Sequence, residues 1–206
     1  MTDPGGAGGE QRLRALLIAP PGAGKGTQAE RICAHFAISH ISTGDVFRRA
    51  VSEGTKLGLQ VKEFLDAGDL VPDEVVGEVV RQEVVKAMRD TGGYLLDGFP
   101  RTVPQAEAAH GLAVEQGTTA HAVLTFEVPR PILLERLMGR GTGRSDDNEA
   151  TIRHRLDVYD RQTSPLLEYY EGRGVLVRVD ADRPIDDVTT SSIEVLEQAL
   201  ASRAPL

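Results

Sequence analysis

Short apolar runs alternate along this 206-residue chain with longer segments in which apolar positions recur at helical spacing. The strand-length runs are Leu13–Ala19, Ile38–Ile41, Tyr94–Leu96, Ala122–Phe126 and Val175–Val179. The helical patterns are Gly24–Phe36, Val46–Ser52, Leu57–Ala67, Asp73–Arg89, Pro104–Glu115, Pro131–Met138, Asn148–Tyr170 and Ile185–Ala201. Because strands alternate with helices, the pattern predicts an α/β fold. We expect a five-stranded parallel sheet, connected by right-handed crossovers and covered by helices on both faces.

Two segments depart from this alternation. Three helical patterns separate the second strand run from the third, which is more than one crossover requires, so we expect a helical insertion at residues 42–71. Residues 139–147 are rich in glycine and charge and lie between two helices, which predicts a short mobile lid. The remaining residues 13–41, 72–138 and 148–206 are expected to form the core domain, after a flexible tail at residues 1–12.

Composition excludes several classes of protein. The formal net charge of −8 argues against a surface that coats nucleic acid, although 19 of the 23 basic residues are arginines, which suit phosphate recognition. Cys33 is the single cysteine, so an internal disulfide and a cysteine-type zinc site are excluded. No run approaches the length of a membrane span, and the polar start is unlike a signal peptide. We therefore expect a cytoplasmic protein without a membrane or nucleic-acid partner.

A glycine-rich turn follows the first strand run and is the strongest chemical signal in the chain. The turn is Gly22-Ala23-Gly24-Lys25-Gly26-Thr27, between two prolines and a helical pattern. Strand, glycine loop and helix start together form a phosphate cradle, since backbone N–H groups and the helix dipole favour negative charge there. Lys25 adds a point charge for the β- and γ-phosphates. An ordinary tight turn is the alternative, but such a turn needs neither a lysine nor three glycines.

The turn differs from the general P-loop pattern at two positions. Ala19 replaces the leading glycine, and Gly26 stands where serine or threonine is usual. If position 19 required a positive φ, the methyl group would cost about 1–2 kcal/mol, whereas an extended backbone would accept alanine without cost. The sequence leaves these two outcomes open.

Polar residues follow two further strand runs. Asp97 ends the third run, at a position that holds Mg²⁺ in P-loop enzymes, and Arg101 would reach the same cleft. The alternative for Asp97 is a common turn-forming residue. Thr43 lies at the start of the insertion, within Ser42–Asp45, where a helix cap is the ordinary interpretation. A cap does not explain Arg48, one turn later.

Arginines cluster around the predicted lid. Arg136 and Arg140 are four residues apart and share a helical face, Arg144 lies within the lid and Arg155 follows on the next helix. Like charges at this spacing repel, so a purely structural role would need neighbouring carboxylates as partners. Substrate phosphates would satisfy the same charges, and we therefore interpret the cluster as an anion clamp.

Taken together, these motifs resemble the adenylate kinase family over nearly the whole chain, from Leu13 to about Leu200. The matching blocks are residues 21–28, 42–45, 70–72, 97–101, Gln105, 143–147 and 155–156. The resemblance implies a P-loop NTPase-type fold with a nucleoside monophosphate (NMP)-binding insertion and a short lid, in a monomer without zinc. It implies reversible, Mg²⁺-dependent transfer of the γ-phosphoryl group of ATP to AMP, giving two ADP.

The resemblance also implies roles for individual residues. The ATP-binding residues would be Gly22, Ala23, Gly24, Lys25, Gly26, Thr27, Arg140 and Arg183. The AMP-binding residues would be Thr43, Arg48, Asp69, Leu70, Val71, Gly98, Phe99, Pro100, Arg101, Gln105, Arg144 and Arg155. The catalytic residues would be Lys25, Arg101, Arg136, Arg144 and Arg155. Asp97 would hold Mg²⁺ through water, and the bond before Pro100 would be cis.

Two other functions remain open. A uridylate/cytidylate kinase would share the cradle and the arginines, but Thr43 and Gln105 favour AMP over a pyrimidine nucleotide. A nucleotide-binding module without catalysis would explain Ala19, yet such a module would be expected to lose part of the arginine clamp.

Overall fold

The computed structural model describes residues 12–139 and 148–202. Within them, five strands form one sheet in the order β2-β3-β1-β4-β5, and every neighbouring pair is parallel. The strands are β1 (Arg14–Leu17), β2 (Ser39–Ser42), β3 (Tyr94–Asp97), β4 (Ala122–Glu127) and β5 (Leu176–Asp180). This architecture confirms the predicted α/β class and the parallel five-stranded sheet.

Helices connect the strands. They are α1 (Lys25–Phe36), α2 (Thr43–Ser52), α3 (Lys56–Ala67), α4 (Asp73–Asp90), α5 (Val103–Gln116), α6 (Arg130–Met138), α7 (Glu149–Val158), α8 (Pro165–Glu171) and α9 (Ile185–Ser202). Residues 42–71 fold mainly as α2 and α3, and most of the predicted lid (140–147) lies outside the described residues. No helix in the described part of the chain is long and apolar enough to cross a membrane.

One predicted helix, Asn148–Tyr170, was wrong at its centre. The chain forms a π-helical turn at Tyr159–Thr163, and α8 begins only at Pro165. The amide of Ser164 donates to the carbonyl of Tyr159, five residues back, at 2.9 Å. Proline has no N–H, and its ring collides with the carbonyl four residues earlier in a continuous α-helix, so the wider turn accommodates Pro165.

Apolar side chains form a core on each face of the sheet. Successive residues of β1 point to opposite faces, so Leu17 joins one core and Leu16 the other. Helices α1, α6, α7 and α9 cover the first face, and α2, α3, α4, α5 and α8 contribute to the second. The prediction of helices on both faces is therefore confirmed.

The strand order determines where a site can form. The chain leaves the central strand β1 toward β2 and β3, and later adds β4 and β5 on the other side. Such a reversal opens a crevice beyond the carboxyl ends of the strands. Leu17 at the end of β1 pairs with Asp97 at the end of β3, so the glycine loop and Asp97 lie at the same edge.

Candidate active site

The glycine loop has the backbone that a phosphate cradle needs. Gly22 and Gly24 have φ values of +85° and +86°, which side-chain-bearing residues rarely adopt. A Cβ at Gly22 would also lie 2.9 Å from the carbonyl oxygen of Leu133. Gly24 caps α1 without a side-chain hydrogen bond, and the first turn has no acidic residue. The first N–H groups of α1 are therefore arranged to receive an anion.

Ala19 is compatible with this loop. In the described part of the chain, Ala37 is the residue other than glycine with a positive φ, so Ala19 carries no left-handed strain. The Nζ atom of Lys25 donates to the carbonyl oxygens of Ala19 and Pro20, each at 2.9 Å. The lysine thus lies across the turn that precedes the cradle. Position 19 does not require a positive φ, so alanine is accommodated there without backbone strain.

A cleft lies beside the loop. Its lining includes these predicted site residues: Lys25, Thr43, Arg48, Asp69, Leu70, Val71, Asp97, Gly98, Pro100, Arg101, Gln105 and Arg155. They come from six separate segments: the start of α1, helix α2, the α3–α4 junction, the end of β3 with its following loop, the first turn of α5, and α7. The fold therefore brings together most of the positions that the motifs singled out.

Three arginines line the cleft, where Arg48 and Arg155 lie close to Arg101. Burial lowers the pKa of Arg101, Asp97 opposes this change, and the charges of Arg155 and Arg48 lower that pKa further. The guanidinium Nε of Arg101 is also held by the carbonyl of Gly98 at 2.8 Å. Among the residues that line the cleft, four cations (Lys25, Arg48, Arg101 and Arg155) face the carboxylates of Asp69 and Asp97, and Arg48 is also paired with Asp45 at 2.5 Å. This excess of cations along the lining suits phosphate groups.

Asp97 has a carboxylate that is not fully satisfied by protein groups. It is 8% exposed, and within residues 12–139 and 148–202 its Oδ1 atom has no hydrogen-bond partner. Mg²⁺ usually keeps several waters and is bound by one or two carboxylates together with substrate phosphates. A water-bridged Mg²⁺ fits this donor. Within the same described ranges, no group of three or more His, Cys, Asp or Glu side chains could hold a metal by itself.

Thr43 and Gly98 pack tightly at the base of the cleft. Thr43 is 1% exposed and its hydroxyl donates to the carbonyl of Asp97 at 3.3 Å. Gly98 has φ +88°, and a Cβ there would lie 2.4 Å from the Thr43 hydroxyl oxygen and 3.3 Å from an Arg101 Nη atom. Glycine at 98 therefore lets the start of α2 approach the end of β3. The bond between Phe99 and Pro100 is cis.

Gln105 joins two parts of the site. Its Oε1 accepts from the amide of Arg101 at 2.7 Å, and its Nε2 donates to the carboxylate of Asp73 at 2.5 Å. Asp73 was not predicted as a site residue, although it directly follows the Leu70–Pro72 block. In the sequence, Asp73 begins a helical pattern, and this position does not indicate a partner in another segment.

Some predicted residues lie elsewhere. Phe99 is buried in the core beneath α2–α5 instead of lining the cleft. Arg136 donates to the carbonyl of Ala181 at 3.1 Å, and Arg183 lies in the same loop after β5, 3.7 Å from the carboxylate of Asp187. Arg140 and Arg144 are outside the described residues.

Comparison with known proteins agrees with this geometry. The family model described as adenylate kinase matches residues 17–175. An adenylate kinase of Mycobacteroides abscessus is 50% identical over 184 residues, covering 89% of this chain and 99% of the relative. Adenylate kinases of Corynebacterium urealyticum and Carboxydothermus hydrogenoformans are 44% and 43% identical, each across 90% of this chain and 100% of the relative. The chain belongs to the adenylate kinase family.

Proposed function

We propose that this chain transfers the γ-phosphoryl group of ATP to AMP, reversibly, to give two ADP. Its family membership makes it a nucleoside monophosphate kinase. The observation that supports the reaction most directly is the convergence of Arg48, Arg101 and Arg155 beside the glycine loop of Lys25. One cleft thereby offers two adjacent places for phosphate groups, one on the loop and one among the arginines.

The two nucleotides would approach from opposite sides of the transferred group. Residues 22–27 would cradle the ATP phosphates, and the 181–184 loop with Arg183 would lie toward the ATP base. Arg136, which donates to the carbonyl of Ala181 in that loop, would complete the arginine clamp. The AMP phosphate would be bound by Arg48 and Arg101, and its base by Thr43, Gln105 and the backbone of residues 69–71. The brace from Gln105 to Arg101 supports this assignment, because it joins a base-binding residue to a phosphate-binding one.

Phosphoryl transfer requires positioning and charge neutralisation instead of a covalent enzyme intermediate. Lys25 would follow the β- and γ-phosphates from its place on the loop, while Arg101 and Arg155 neutralise charge on the transferred group. Asp97 would orient water molecules around Mg²⁺ with its unsatisfied oxygen. When bound, Mg²⁺ would supply charge neutralisation between the β- and γ-phosphates.

Water must be excluded from the cleft, since it would otherwise accept the phosphoryl group. We propose that residues 139–147 act as the lid, that Arg140 and Arg144 lie over the phosphates, and that 42–71 moves as the AMP-binding domain. We further expect the protein to act as a cytoplasmic monomer.

The Arg101→Ala substitution tests the reaction. We expect AMP-dependent ADP formation to fall on the order of 10³-fold, since charge stabilisation by one arginine supplies at least this much in related chemistry. Arg81→Ala is the matched control, because Arg81 is an exposed residue on α4 that forms a salt bridge with Glu78. Circular dichroism would verify that both variants fold. Equal activity of a folded Arg101→Ala variant and the control would contradict the proposal.

A further inference from the structure

Helix α7 contacts the far end of the AMP-side insertion through His154. Its Nε2 atom lies 2.6 Å from Oδ1 of Asp69, and both side chains are about half exposed. The two residues are 85 positions apart in sequence. This polar contact therefore joins α7, which follows the predicted lid, to the residues that follow α3.

Packing beside this contact is close. Gly68 has φ +80°, and a Cβ there would lie 2.7 Å from Cγ of Arg155 and 3.0 Å from Cγ2 of Thr151. Thr151, His154 and Arg155 are spaced by three and four residues, so they share one face of α7. That face lies against Gly68 and Asp69, and only glycine at 68 permits the approach.

The end of α3 directs Asp69 toward α7. The amide of Gly68 donates to the carbonyl of Leu65 at 3.1 Å, and the amide of Asp69 donates to the carbonyl of Phe64 at 2.9 Å. This pattern terminates the helix on a left-handed glycine and fixes the next residue. Leu70 and Val71 follow immediately and line the cleft. Asp69 is thus the joint between the helix end and the wall of the predicted AMP pocket.

We propose that His154 is a positioning residue for AMP. Its contact with Asp69 holds the 68–71 segment in place relative to Arg155, one residue further along α7. A segment that is already ordered loses less conformational freedom when ligand binds, so the contact raises affinity without touching AMP. The proposal rests on the proposed function and adds a residue that no motif identified.

The test is a double-mutant cycle with His154→Ala, Asp69→Ala and the double variant. We expect each single substitution to raise the KM for AMP about three- to fivefold, the range of a partly exposed polar pair. The double variant should be no worse than either single one, because the interaction is lost only once. The KM for ATP should stay within the error of the wild type. His154→Gln should restore most of the AMP affinity, since its amide can still donate to Asp69.

Arg153→Ala is the matched control on the same helix. Arg153 pairs with Glu149 within α7 at 2.9 Å and does not reach the insertion, so its loss tests whether any weakening of α7 affects AMP. Its KM for AMP should equal that of the wild type. Calorimetric binding of AMP to each variant would separate affinity from turnover.

Three outcomes overturn the inference: an unchanged KM for AMP in His154→Ala, additive effects in the double variant, or an equal loss in Arg153→Ala. Each of these outcomes is measured against a wild-type protein that phosphorylates AMP. A wild type that does not use AMP would refute the proposed function itself, so the two failures are distinguishable.

Discussion

Gly98 tests how closely the AMP side of the cleft is packed. Gly98→Ala introduces a methyl group 2.4 Å from the Thr43 hydroxyl at a φ of +88°. We expect left-handed strain of about 1–2 kcal/mol, an additional loss from the collision, and a higher KM for AMP because Thr43 and Arg101 must shift. Urea unfolding and initial rates would measure both effects.

Gly117→Ala separates strain from collision. Gly117 ends α5 with φ +64°, and a Cβ there would meet nothing within 4 Å. This variant should lose stability through strain alone and keep the KM of the wild type. If both variants lost equal stability and retained equal AMP affinity, the close approach of Thr43 to Gly98 would be refuted.

His121 makes folding sensitive to acid. The residue is fully buried at the start of β4, and its Nδ1 accepts from the amide of Arg14 at 3.0 Å. Burial, with the nearby Arg14 charge, lowers the pKa of His121 from 6.5 to about 4. The unfolded state therefore binds a proton more tightly. The stabilisation is present above pH 6.5 and is lost as the pH falls toward 4.

Between pH 7 and pH 5 this group should remove about 2 kcal/mol of the free energy of unfolding. His121→Gln lacks the titrating ring, so its stability should fall less over that interval, although it starts lower at pH 7. Urea titrations at both pH values measure these slopes, and equal slopes for wild type and His121→Gln would contradict the assignment.

Helices α2 and α3 approach each other through a glycine. A Cβ at Gly58 would lie 2.1 Å from the carbonyl oxygen of Ala50, which is backbone and cannot rotate away. We expect Gly58→Ala to destabilise the protein by about 1–3 kcal/mol and to raise the KM for AMP, because α2 carries Thr43 and Arg48.

A glycine-to-alanine substitution should have the opposite effect on stability in α5. Gly111 lies inside that helix, and a Cβ there would meet nothing within 4 Å. Gly111→Ala should therefore stabilise by up to about 1 kcal/mol through helix propensity. Urea midpoints of the two variants provide the comparison, and stabilisation by both would show that α2 and α3 are not in close contact.

The sequence predicts the elements well where one local rule decides them. All five strand runs contain a strand, and every helical segment contains a helix. Mainly apolar runs indicate β1, β3, β4 and β5, whereas β2 (Ser39–Ser42) has one apolar residue, Ile41. The predicted helix boundaries were wrong where a capping side chain or a proline determines where a helix begins or ends. Helix α2 begins at Thr43, earlier than the apolar pattern indicates, because Ser42 caps it by accepting from the amide of Asp45. Pro165 interrupts a pattern that otherwise remains helical.

The site was predictable only as far as motifs extend. Lys25, Arg48, Arg101 and Arg155 could be singled out because phosphate chemistry restricts which residues can serve. The fold brings all four to one cleft, and their roles stay predictions. The backbone at Ala19 could not be determined, since φ depends on the finished loop. Lateral contacts such as Asp73 to Gln105 leave no periodic signal, because their partners come from distant segments.

The whole chain is acidic, yet its cleft is cationic. The formal charge is −8, while Arg48 and Arg155 lie close to Arg101 in the partly buried cleft. Distribution of charge, and not its sum, therefore decides which ligand the protein accepts. An acidic exterior around a basic cleft suits small anionic nucleotides better than nucleic acid.

The central claim is that this cleft phosphorylates AMP. The most direct measurement is the initial rate of ADP formation from MgATP with AMP, UMP, CMP or no acceptor, at equal concentrations. We predict rapid turnover with AMP, with two ADP formed for each ATP consumed, and little product with the pyrimidine nucleotides or without acceptor. Preference for UMP or CMP would contradict the role of Thr43 and Gln105. Absence of transfer to every acceptor, by a folded protein that binds ATP, would contradict the catalytic account as a whole.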